Sequence, residues 1–469
     1  IGSLDLTLST TGEWPAAGTF DRGITTLKFT KSGTAVFNYL NTEDIYNLTL
    51  GTGNTLSLNC KNDSGGRLDI FGTLDMSGTK ITTGADSGNS TISFSGTGDR
   101  TLIIDNPSTA LADLYRVSML QSSDTVTIPA VTVKRLIHSG AGTTELSGAM
   151  TLDTGHHQVS AGVFDTASNA LTVAGQCQAT GGSLLLRNST ASFGLVMAIG
   201  NSGSVTCADT NLTLHSFSLG QGSFTAPSAS GSFIINNETS HLAFDYDGNG
   251  FVHNSGTIDI RTEAETLIDF TPNDAAHLDI NNVTINHANC IAKLPSAASI
   301  AGHLKITAGK FDCDGNDLTV KSLTIASGAE FKASTGTTTI SGEGDGSGGS
   351  TNGVNLTNSG TFTHNKGTVK VTCATQTSAT GFSGTSGFYN FTYAGSGSGE
   401  DQVLGANTDF FGHVIIDSAN SELQSQGHTF NFYGGITIIQ GGWDIGSSDE
   451  SGTVNVYGGV RNVGGSIVA

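Results

Sequence analysis

Apolar and polar residues alternate over short stretches along most of this chain. In Thr25-Thr26-Leu27-Lys28-Phe29-Thr30 and in Thr368-Val369-Lys370-Val371-Thr372, an apolar residue alternates with Thr or Lys. Because successive side chains of a β-strand point to opposite faces, this period of two predicts strands with one buried face. A helical pattern is confined to residues 107–120, so we expect negligible helix.

A longer unit is written twice. Residues 158–173 read QVSAGVFDTASNALTV and residues 305–320 read KITAGKFDCDGNDLTV, with eight of the sixteen positions identical. A shorter core, apolar-x-apolar-x-x-Gly-x-apolar, recurs at 177–184, 217–224, 304–311 and 436–443. The apolar pair predicts a half-buried strand, and the glycine predicts a turn or bulge where φ is positive or a side chain would clash.

The spacing of these units predicts the architecture. NFYGGI at 431 returns as NVYGGV at 455, which is 24 residues later, and the cores at 177 and 217 lie 40 residues apart, or two repeats of 20. One turn of a parallel β-helix, with three strands and three turns, needs a period in the low twenties. We therefore predict an all-β, elongated parallel β-helix or β-solenoid of about 20 rungs, each of about 20–24 residues, with irregular insertions. The side chains expected to point inward are Leu304, Ile306, Phe311, Leu318 and Val320.

The fit to the repeat varies along the chain and predicts five segments. Residues 1–84 form N-terminal rungs, and residues 85–145 form irregular rungs or an insertion because they match the repeat poorly. Residues 146–341 form a central solenoid, 342–353 a Gly/Ser-rich loop or linker, and 354–469 a C-terminal solenoid. We expect this last solenoid to continue beyond the chain.

Composition and charge narrow the class of protein. The chain has 64 Gly and 6 Pro in 469 residues, yet its apolar residues keep the strand period that disordered chains lack. Twenty Lys and Arg face 40 Asp and Glu, for a net charge of −20. A polyanionic surface repels nucleic acid and anionic lipid, so we expect neither nucleic acid nor membrane as a partner. The low lysine content and strong negative charge suit a soluble extracellular particle.

The cysteines carry no metal or redox motif. Six are spread along the chain without a CxxC spacing, so we expect neither a metal cluster nor a redox pair. Cys177 falls on an inward position of the repeat. Cys313 falls at a turn and is the first candidate for a disulfide. The even number permits disulfides in an oxidising compartment.

An acidic turn that occurs twice is the best candidate for chemistry. Residues 244–249 and 311–316 both read F-D-x-D-G-N. Alternate oxygen-bearing side chains ahead of a glycine are typical of the start of a calcium loop, although neither copy has a glutamate at the twelfth position. Asp245, Asp247 and Asn249 are therefore the candidate calcium ligands. Asp and Asn also favour turns, and we favour that interpretation. We identify no catalytic residue and no other cofactor.

A second tier of repetition carries a family resemblance. Ile45-Tyr46-Asn47-Leu48-Thr49-Leu50 returns as Phe388-Tyr389-Asn390-Phe391-Thr392-Tyr393, and the run NSGTFTHNKGTV occupies 358–369. With the long repeat, these motifs resemble the repeats of long β-solenoid surface proteins, found in bacteriophage virion fibres and appendages and in secreted bacterial adhesins. The clear matches cover residues 145–185 and 300–460. The resemblance implies an architecture and brings no catalytic residues.

Two classes of function follow. The first is a non-enzymatic structural and attachment protein: a phage virion fibre or appendage shaft that presents surface loops to a host glycan or protein receptor, with a secreted bacterial adhesin as the alternative. The second is a polysaccharide-degrading β-helix, either a tailspike glycosidase or a lyase. A glycosidase needs two carboxylates at a defined separation. Outside the acidic turns the sequence has no concentrated group of carboxylates, which favours the first class.

We also expect the protein to assemble. The partners expected are copies of itself, as a homo-oligomer, or other virion or surface proteins, because open solenoid ends invite pairing. The resemblance to phage fibres, which are commonly homotrimers, implies a trimer. Trimerisation is expected to bury Phe388, Tyr389, Phe391 and Tyr393.

Overall fold

The chain folds as a parallel β-solenoid of about 17 rungs of roughly 21 residues. This computed structural model describes residues 4–8, 13–14, 25–30, 33–39, 42–51, 53–60, 66–76, 80–83, 90–98, 100–112, 114–236, 242–246, 250–270, 280–342, 354–373, 377–395, 401–445 and 452–468. The predicted all-β parallel solenoid is confirmed. The chain divides into two compact units, Ile1–Phe233 with Gly248–Asn254, and Ile234–Asp247 with Ser255–Ala469.

The first unit contains short strands throughout. Their bounds are β1 (Leu4–Leu8), β2 (Glu13–Trp14), β3 (Thr25–Phe29), β4 (Gly33–Tyr39), β5 (Thr42–Ile45), β6 (Asn47–Leu50), β7 (Asn54–Cys60), β8 (Arg67–Ile70), β9 (Thr73–Met76), β10 (Lys80–Thr83), β11 (Thr91–Gly96), β12 (Arg100–Ile104), β13 (Arg116–Gln121), β14 (Thr125–Ile128), β15 (Val131–Val133), β16 (Leu136–His138), β17 (Thr143–Leu146), β18 (Met150–Leu152), β19 (His157–Val159), β20 (Val163–Asp165), β21 (Leu171–Val173), β22 (Cys177–Ala179), β23 (Ser183–Arg187), β24 (Thr190–Ile199), β25 (Ser204–Cys207), β26 (Asn211–Leu219) and β27 (Ser223–Thr225). Strand β28 (Ser232–Ile235) crosses the boundary between the units, β29 (Leu242–Tyr246) belongs to the second unit and β30 (Phe251–Val252) to the first.

The second unit continues with the same kind of element. Its remaining strands are β31 (Thr257–Ile260), β32 (Glu265–Ile268), β33 (Asn282–Lys293), β34 (Ala298–Asp312), β35 (Leu318–Ile325), β36 (Glu330–Lys332), β37 (Thr337–Ile340), β38 (Leu356–Asn358), β39 (Thr361–Thr363), β40 (Thr368–Val371), β41 (Thr377–Thr380), β42 (Asn390–Tyr393), β43 (Gln402–Leu404), β44 (Thr408–Phe410), β45 (Val414–Gln424), β46 (Thr429–Phe432), β47 (Ile436–Asp444), β48 (Thr453–Val456), β49 (Val460–Asn462) and β50 (Ser466–Val468). Within the described ranges, the helical content is one 3₁₀ turn at Gly384–Ser386.

In the first unit, one sheet shows how the rungs stack. Its described strands follow the order β1-β3-β6-β9-β12-β14-β17-β20-β23-β25-β27-β30, so that each rung contributes one strand to the sheet. On another face, His157 pairs with Cys177, Cys177 with Met197, and Met197 with Phe217. The 40-residue spacing of the cores at 177 and 217 is therefore two rungs of 20, as predicted.

The inward positions follow the sequence pattern. Leu304, Ile306, Phe311, Leu318 and Val320 are all buried, as predicted. Their strands read alternately buried and partly exposed, so each rung places one set of side chains in the interior and the other outside. Repetition of this alternation from rung to rung builds the continuous, narrow core of a solenoid.

The repeat glycines lie at corners where no side chain fits. At Gly309 φ is +78°, and a Cβ atom would lie 2.3 Å from the carbonyl oxygen of His287 on the preceding rung. Gly162 occupies the corresponding place in the other copy of the long repeat, with φ at +59°. The predicted positive φ and the predicted clash at this glycine are confirmed, and the preceding rung explains why glycine is required.

Phenylalanine side chains stack through the interior of the second unit. Phe388 and Phe410 have ring centroids 5.8 Å apart, and Phe410 and Phe432 lie 4.8 Å apart with rings within 6° of parallel. Phe388, Phe391 and Tyr393 are buried by their own chain. The expectation that a trimer buries these three residues is therefore wrong, because their side chains point into the interior of the solenoid and are already covered by their own chain.

Rung length varies because turns between strands accept insertions. Leu304 pairs with Leu323, 19 residues on (323 − 304 = 19), whereas Leu323 pairs with Leu356, 33 residues on (356 − 323 = 33). Such insertions account for a rung count nearer 17 than the predicted 20.

The one stretch with a helical pattern is not helical. Residues 107–110 form turns, and Arg116–Gln121 is a strand paired in parallel with β11 and β16. Here the inward packing of Val117 and Met119 outweighs local helix propensity. Among the described residues, no helix is long and apolar enough to cross a membrane.

Candidate functional site

The first acidic turn lies mostly outside the described residues. Asp245 is half-buried near the end of β29, while Asp247 and Asn249 fall outside the described ranges. In the described part of the chain, no three His, Cys, Asp or Glu side chains gather closely enough to hold a metal ion. The candidate calcium site at Asp245, Asp247 and Asn249 therefore stays a prediction.

The second copy shows how such a motif serves a turn. Oδ1 of Asp312 accepts a hydrogen bond from the backbone N–H of Asp314 at 2.8 Å, and φ is +49° at Asp314 and +86° at Gly315. Nδ2 of Asn316 donates to the carbonyl oxygen of Leu294, on the preceding rung, at 2.9 Å. Nζ of Lys332, on the following rung, lies 3.2 Å from Oδ2 of Asp312. These contacts give Asp312 and Asn316 structural roles between rungs.

The other copy of the long repeat has the same arrangement without the second aspartate. Oδ1 of Asp165 accepts a hydrogen bond from the backbone N–H of Ala167 at 2.8 Å, and Nδ2 of Asn169 donates to the carbonyl oxygen of Leu146 at 2.8 Å. Arg187, on the following rung, pairs with Asp165 at 2.8 Å. The conserved spacing of Phe, Asp and Asn within the repeat thus encodes a turn tied to both neighbouring rungs.

An outward row of rings is the most distinctive surface feature of the second unit. We call it the aromatic row, and it consists of His364, Tyr389, Phe411, Tyr433 and Tyr457. The rings of Phe411 and Tyr433 are 5.6 Å apart and 10° from parallel, and those of Tyr433 and Tyr457 are 5.0 Å apart and 5° from parallel. His364 lies 5.3 Å from Tyr389 and 5.6 Å from Phe411.

The aromatic row is open to solvent along much of its length. Phe411 is 36% exposed, Tyr433 45% and Tyr457 67%. Because Phe411, Tyr433 and Tyr457 stack nearly parallel, the ring faces between them are covered and the ring edges remain accessible. Such a strip offers apolar contact together with hydrogen-bonding groups, the combination that recognition surfaces use.

Sequence reasoning missed this row, although a signal for it exists. Aromatic pairs occur at 388–389, 410–411 and 432–433, each 22 residues after the last (410 − 388 = 22; 432 − 410 = 22). Within each pair the first ring is buried, and the second lies in the aromatic row. A pair of adjacent aromatics repeated at the rung length therefore marks one interior stack and one exterior stack.

Three carboxylate residues, Asp401, Glu422 and Asp444, lie on successive rungs of the second unit. Oδ1 of Asp401 accepts a hydrogen bond from the backbone N–H of Glu422 at 2.9 Å, and Asp444 lies at the next rung. Burial, followed by the charges of Asp401 and Asp444, raises the pKa of Glu422. Glycoside hydrolysis uses two carboxyl groups, one of which has a raised pKa and acts as the general acid.

A polar cleft of about 390 Å³ opens beside β12 and β14 in the first unit. It is lined by Thr101, Thr125, Thr127, Ser147, Leu102 and Pro129, together with Arg100. The guanidinium of Arg100 is already engaged, since it donates to the carbonyl oxygens of Ser95 and Thr97 at 2.5 and 2.8 Å. The cleft thus offers hydroxyl groups without a free charge from Arg100.

Two histidines are buried in the core of the first unit. Nδ1 of His138 lies 3.0 Å from Oγ1 of Thr144, and Nδ1 of His157 lies 3.9 Å from Sγ of Cys177. Burial lowers the pKa of His138 to about 4, and burial with the nearby His138 lowers the pKa of His157 to about 3. Both imidazoles are therefore neutral near pH 7 and act as core side chains.

The described cysteine side chains are all buried. They are Cys177, Cys207, Cys290, Cys313 and Cys373. Burial raises the pKa of Cys207 to about 12, which leaves a thiol rather than a reactive thiolate at neutral pH. Cys177 is inward as predicted, and Cys313 is buried without a disulfide partner.

Comparisons of the sequence with protein-family models and with curated proteins, and of the fold with solved structures, found no match.

Proposed function

We propose that this protein is a non-enzymatic structural and attachment protein, a shaft at the surface of a virion or cell that presents side chains to a host glycan or protein receptor. A phage fibre or appendage is the favoured setting, and a secreted bacterial adhesin is the alternative. The exposure of the aromatic row carries this proposal. Interior stacking explains Phe388, Phe410 and Phe432, but core packing gives no reason for a second stack in solvent.

The energetics of the row support a binding role. Exposed apolar strips on soluble proteins often mark interaction surfaces. Tyrosine supplies contact area and a hydroxyl while losing little conformational entropy, and rings already held by stacking lose less on binding. A row of Tyr433, Tyr457 and Phe411 on consecutive rungs is therefore preorganised for an extended ligand such as a glycan chain.

Binding to an array of bacterial surface polysaccharides and to intact cells tests the proposal. We expect the double variant Phe411→Ser/Tyr433→Ser to bind about tenfold more weakly or worse, because two neighbouring contacts are removed. Tyr46→Ser is the matched control, since Tyr46 is 40% exposed but lies outside the aromatic row. Equal binding by both variants, or no binding by the native protein to any glycan or cell, would argue against the proposal.

The attachment proposal includes assembly. We propose that the working form is a homo-oligomer, with a trimer as the first expectation, because open edges of parallel sheets favour pairing with another chain. Sedimentation velocity over a range of concentrations measures this directly. A stable, non-aggregating monomer at all concentrations would contradict it.

The second candidate function is polysaccharide cleavage, favoured by the raised pKa of Glu422 beside Asp401. In this alternative Glu422 acts as the general acid and Asp401 as the second carboxylate. A loss of polymer viscosity with release of new reducing ends, abolished in Glu422→Gln and kept in Glu265→Gln, would place this function first. Unchanged viscosity with every polysaccharide that the protein binds would exclude it in favour of attachment.

A further inference from the structure

Basic residues gather along one sheet of the first unit, at the point where its strands begin. Arg67 pairs in register with Thr91, and Thr91 with Arg116. The backbone N–H of Val117 donates to the carbonyl oxygen of Arg135 at 2.9 Å, which places Arg135 on the following rung beside Arg116. We call Arg67, Arg116 and Arg135 the arginine row. With a rung spacing of about 4.8 Å, it extends over about 14 Å.

The position of this row is unusual for the chain. Acidic residues outnumber basic ones by 40 to 20, yet here three arginines lie on neighbouring rungs. Arg187 pairs with Asp165 and Arg261 with Asp259, each at 2.8 Å or less. Lys134-Arg135 is the one pair of adjacent Lys or Arg residues in the sequence, and it lies at the end of the arginine row.

Two of the three arginines carry charge that the protein leaves unbalanced. Arg67 binds Asp69, with the two nearest contacts at 2.7 and 2.9 Å. Nε of Arg116 donates to Oγ1 of Thr91 at 3.2 Å, and Nη1 of Arg135 donates to the Tyr115 hydroxyl at 3.4 Å. Neither Arg116 nor Arg135 has a carboxylate within ion-pair distance in the described part of the chain.

The surroundings of these guanidinium groups favour an anion. Arg116 is half-buried, and burial, together with the charges of Arg135 and Arg67, lowers its pKa. Nε of Arg135 is shielded from solvent and has no hydrogen-bond partner. Two like charges on neighbouring rungs destabilise the free protein, and a bound oxyanion relieves this repulsion. A planar guanidinium matches an oxyanion with two parallel hydrogen bonds.

We propose that the arginine row binds the oxyanion groups, carboxylate or sulfate, of an acidic saccharide, with Arg116 and Arg135 as the contacting residues. The hydroxyl of Tyr115, beside Arg135, supplies a partner for a neighbouring sugar hydroxyl. A saccharide fits better than a nucleic acid, because the net charge of −20 repels a densely charged polyanion. None of these residues belongs to the aromatic row, so the two proposals fail or succeed independently.

Calorimetric titration of the whole protein at low salt tests the site. The probes are a uronic-acid oligosaccharide, a sulfated oligosaccharide, a neutral oligosaccharide of the same length and inorganic sulfate. We expect both charged oligosaccharides to bind and the neutral one not to bind. Arg116→Gln/Arg135→Gln should weaken binding about tenfold or more, since both forks are lost. Arg261→Gln removes one positive charge outside the arginine row and should leave binding within about twofold of the native protein.

A conservative variant separates binding from folding. Arg135→Lys keeps the charge but not the fork, and we expect weaker binding of the charged oligosaccharides at an unchanged melting temperature. The proposal is overturned if no charged oligosaccharide binds, if the neutral one binds equally well, or if Arg261→Gln loses as much affinity as the double variant. Equal affinity for inorganic sulfate or for a single-stranded oligonucleotide would overturn the assignment to a saccharide.

Discussion

Asn431 and Asn455 occupy the same position on successive rungs, 24 residues apart, and Nδ2 of Asn455 donates to Oδ1 of Asn431 at 2.8 Å. Asn431 in turn donates from Nδ2 to Oδ1 of Asp409 at 2.6 Å. The repeated NFYGGI and NVYGGV motifs are therefore one rung apart, as their spacing predicts. The amide of Asn431 links three rungs.

Replacing the middle member of this ladder should cost more than replacing its end. Asn431→Ala leaves both Asp409 and Asn455 without their partner, whereas Asn455→Ala breaks one hydrogen bond. We expect the first variant to lose about 1–3 kcal/mol of unfolding free energy and the second about 1 kcal/mol, measured by urea denaturation. Equal losses would show that the ladder is not cooperative across rungs.

Two glycines with a positive φ allow the cost of the backbone conformation to be separated from the cost of a steric clash. Gly309 and Gly328 both have φ near +80°, but a Cβ atom at Gly309 would meet the His287 carbonyl at 2.3 Å, while one at Gly328 meets nothing within 4 Å. Gly328→Ala should therefore cost about 1–2 kcal/mol for the backbone conformation alone. Gly309→Ala should cost clearly more. Thermal denaturation of both variants checks this order. A larger loss of stability for Gly328→Ala than for Gly309→Ala would contradict the prediction.

Adjacent phenylalanines distinguish the interior from the exterior. Phe410 is buried, and Phe411, the next residue, is 36% exposed. We expect Phe410→Ala to lose about 3–5 kcal/mol through the cavity it creates. Phe411→Ala should lose about 1 kcal/mol, the value of a stacking contact. Similar losses, measured by chemical denaturation, would mean that the exterior row is a structural element as important as the core.

The free energy of unfolding should decrease as the pH drops below about 6.5, the ordinary pKa of histidine. His138 and His157 have pKa values lowered to about 4 and about 3 in the folded protein, so the unfolded chain binds more protons between those values and 6.5. Each histidine should then remove up to about 1.4 kcal/mol per pH unit as the pH drops, and the loss should level off below the folded values. His157→Leu should have the shallower dependence in urea titrations from pH 7.5 to 4. An identical slope in the variant would contradict this.

The dependence of the melting temperature on calcium can be measured directly. We predict that the acidic turn at Asp245, Asp247 and Asn249 is a turn former, as its described counterpart at 312–316 is. Asp247→Asn should then melt at the same temperature in calcium and in chelator. A native protein whose melting temperature rises with calcium, with the rise lost in the variant, would instead establish a calcium clip.

The sequence predicted the interior far better than the exterior, for a physical reason. Whether Leu304 or Phe311 points inward depends on local alternation, which the sequence shows directly. Which outward side chains meet depends on the length of every intervening rung. Arg135 follows Arg116 by 19 residues (135 − 116 = 19), but Arg116 follows Thr91 by 25 (116 − 91 = 25), so no fixed period aligns them. The acidic turns were recognisable as turns, whereas their ties to neighbouring rungs needed the fold.

Leu323 and Leu356 remain paired across an insertion, and their strands keep the same inward positions as those with a 19-residue connection. The packing of the interior at these strands therefore does not depend on the length of the connection between them. A peptide epitope grafted between Ile340 and Leu356 should leave the stacking of neighbouring rungs intact. By the same reasoning, the connections on the outer surface can change in length and sequence while the core stays constant.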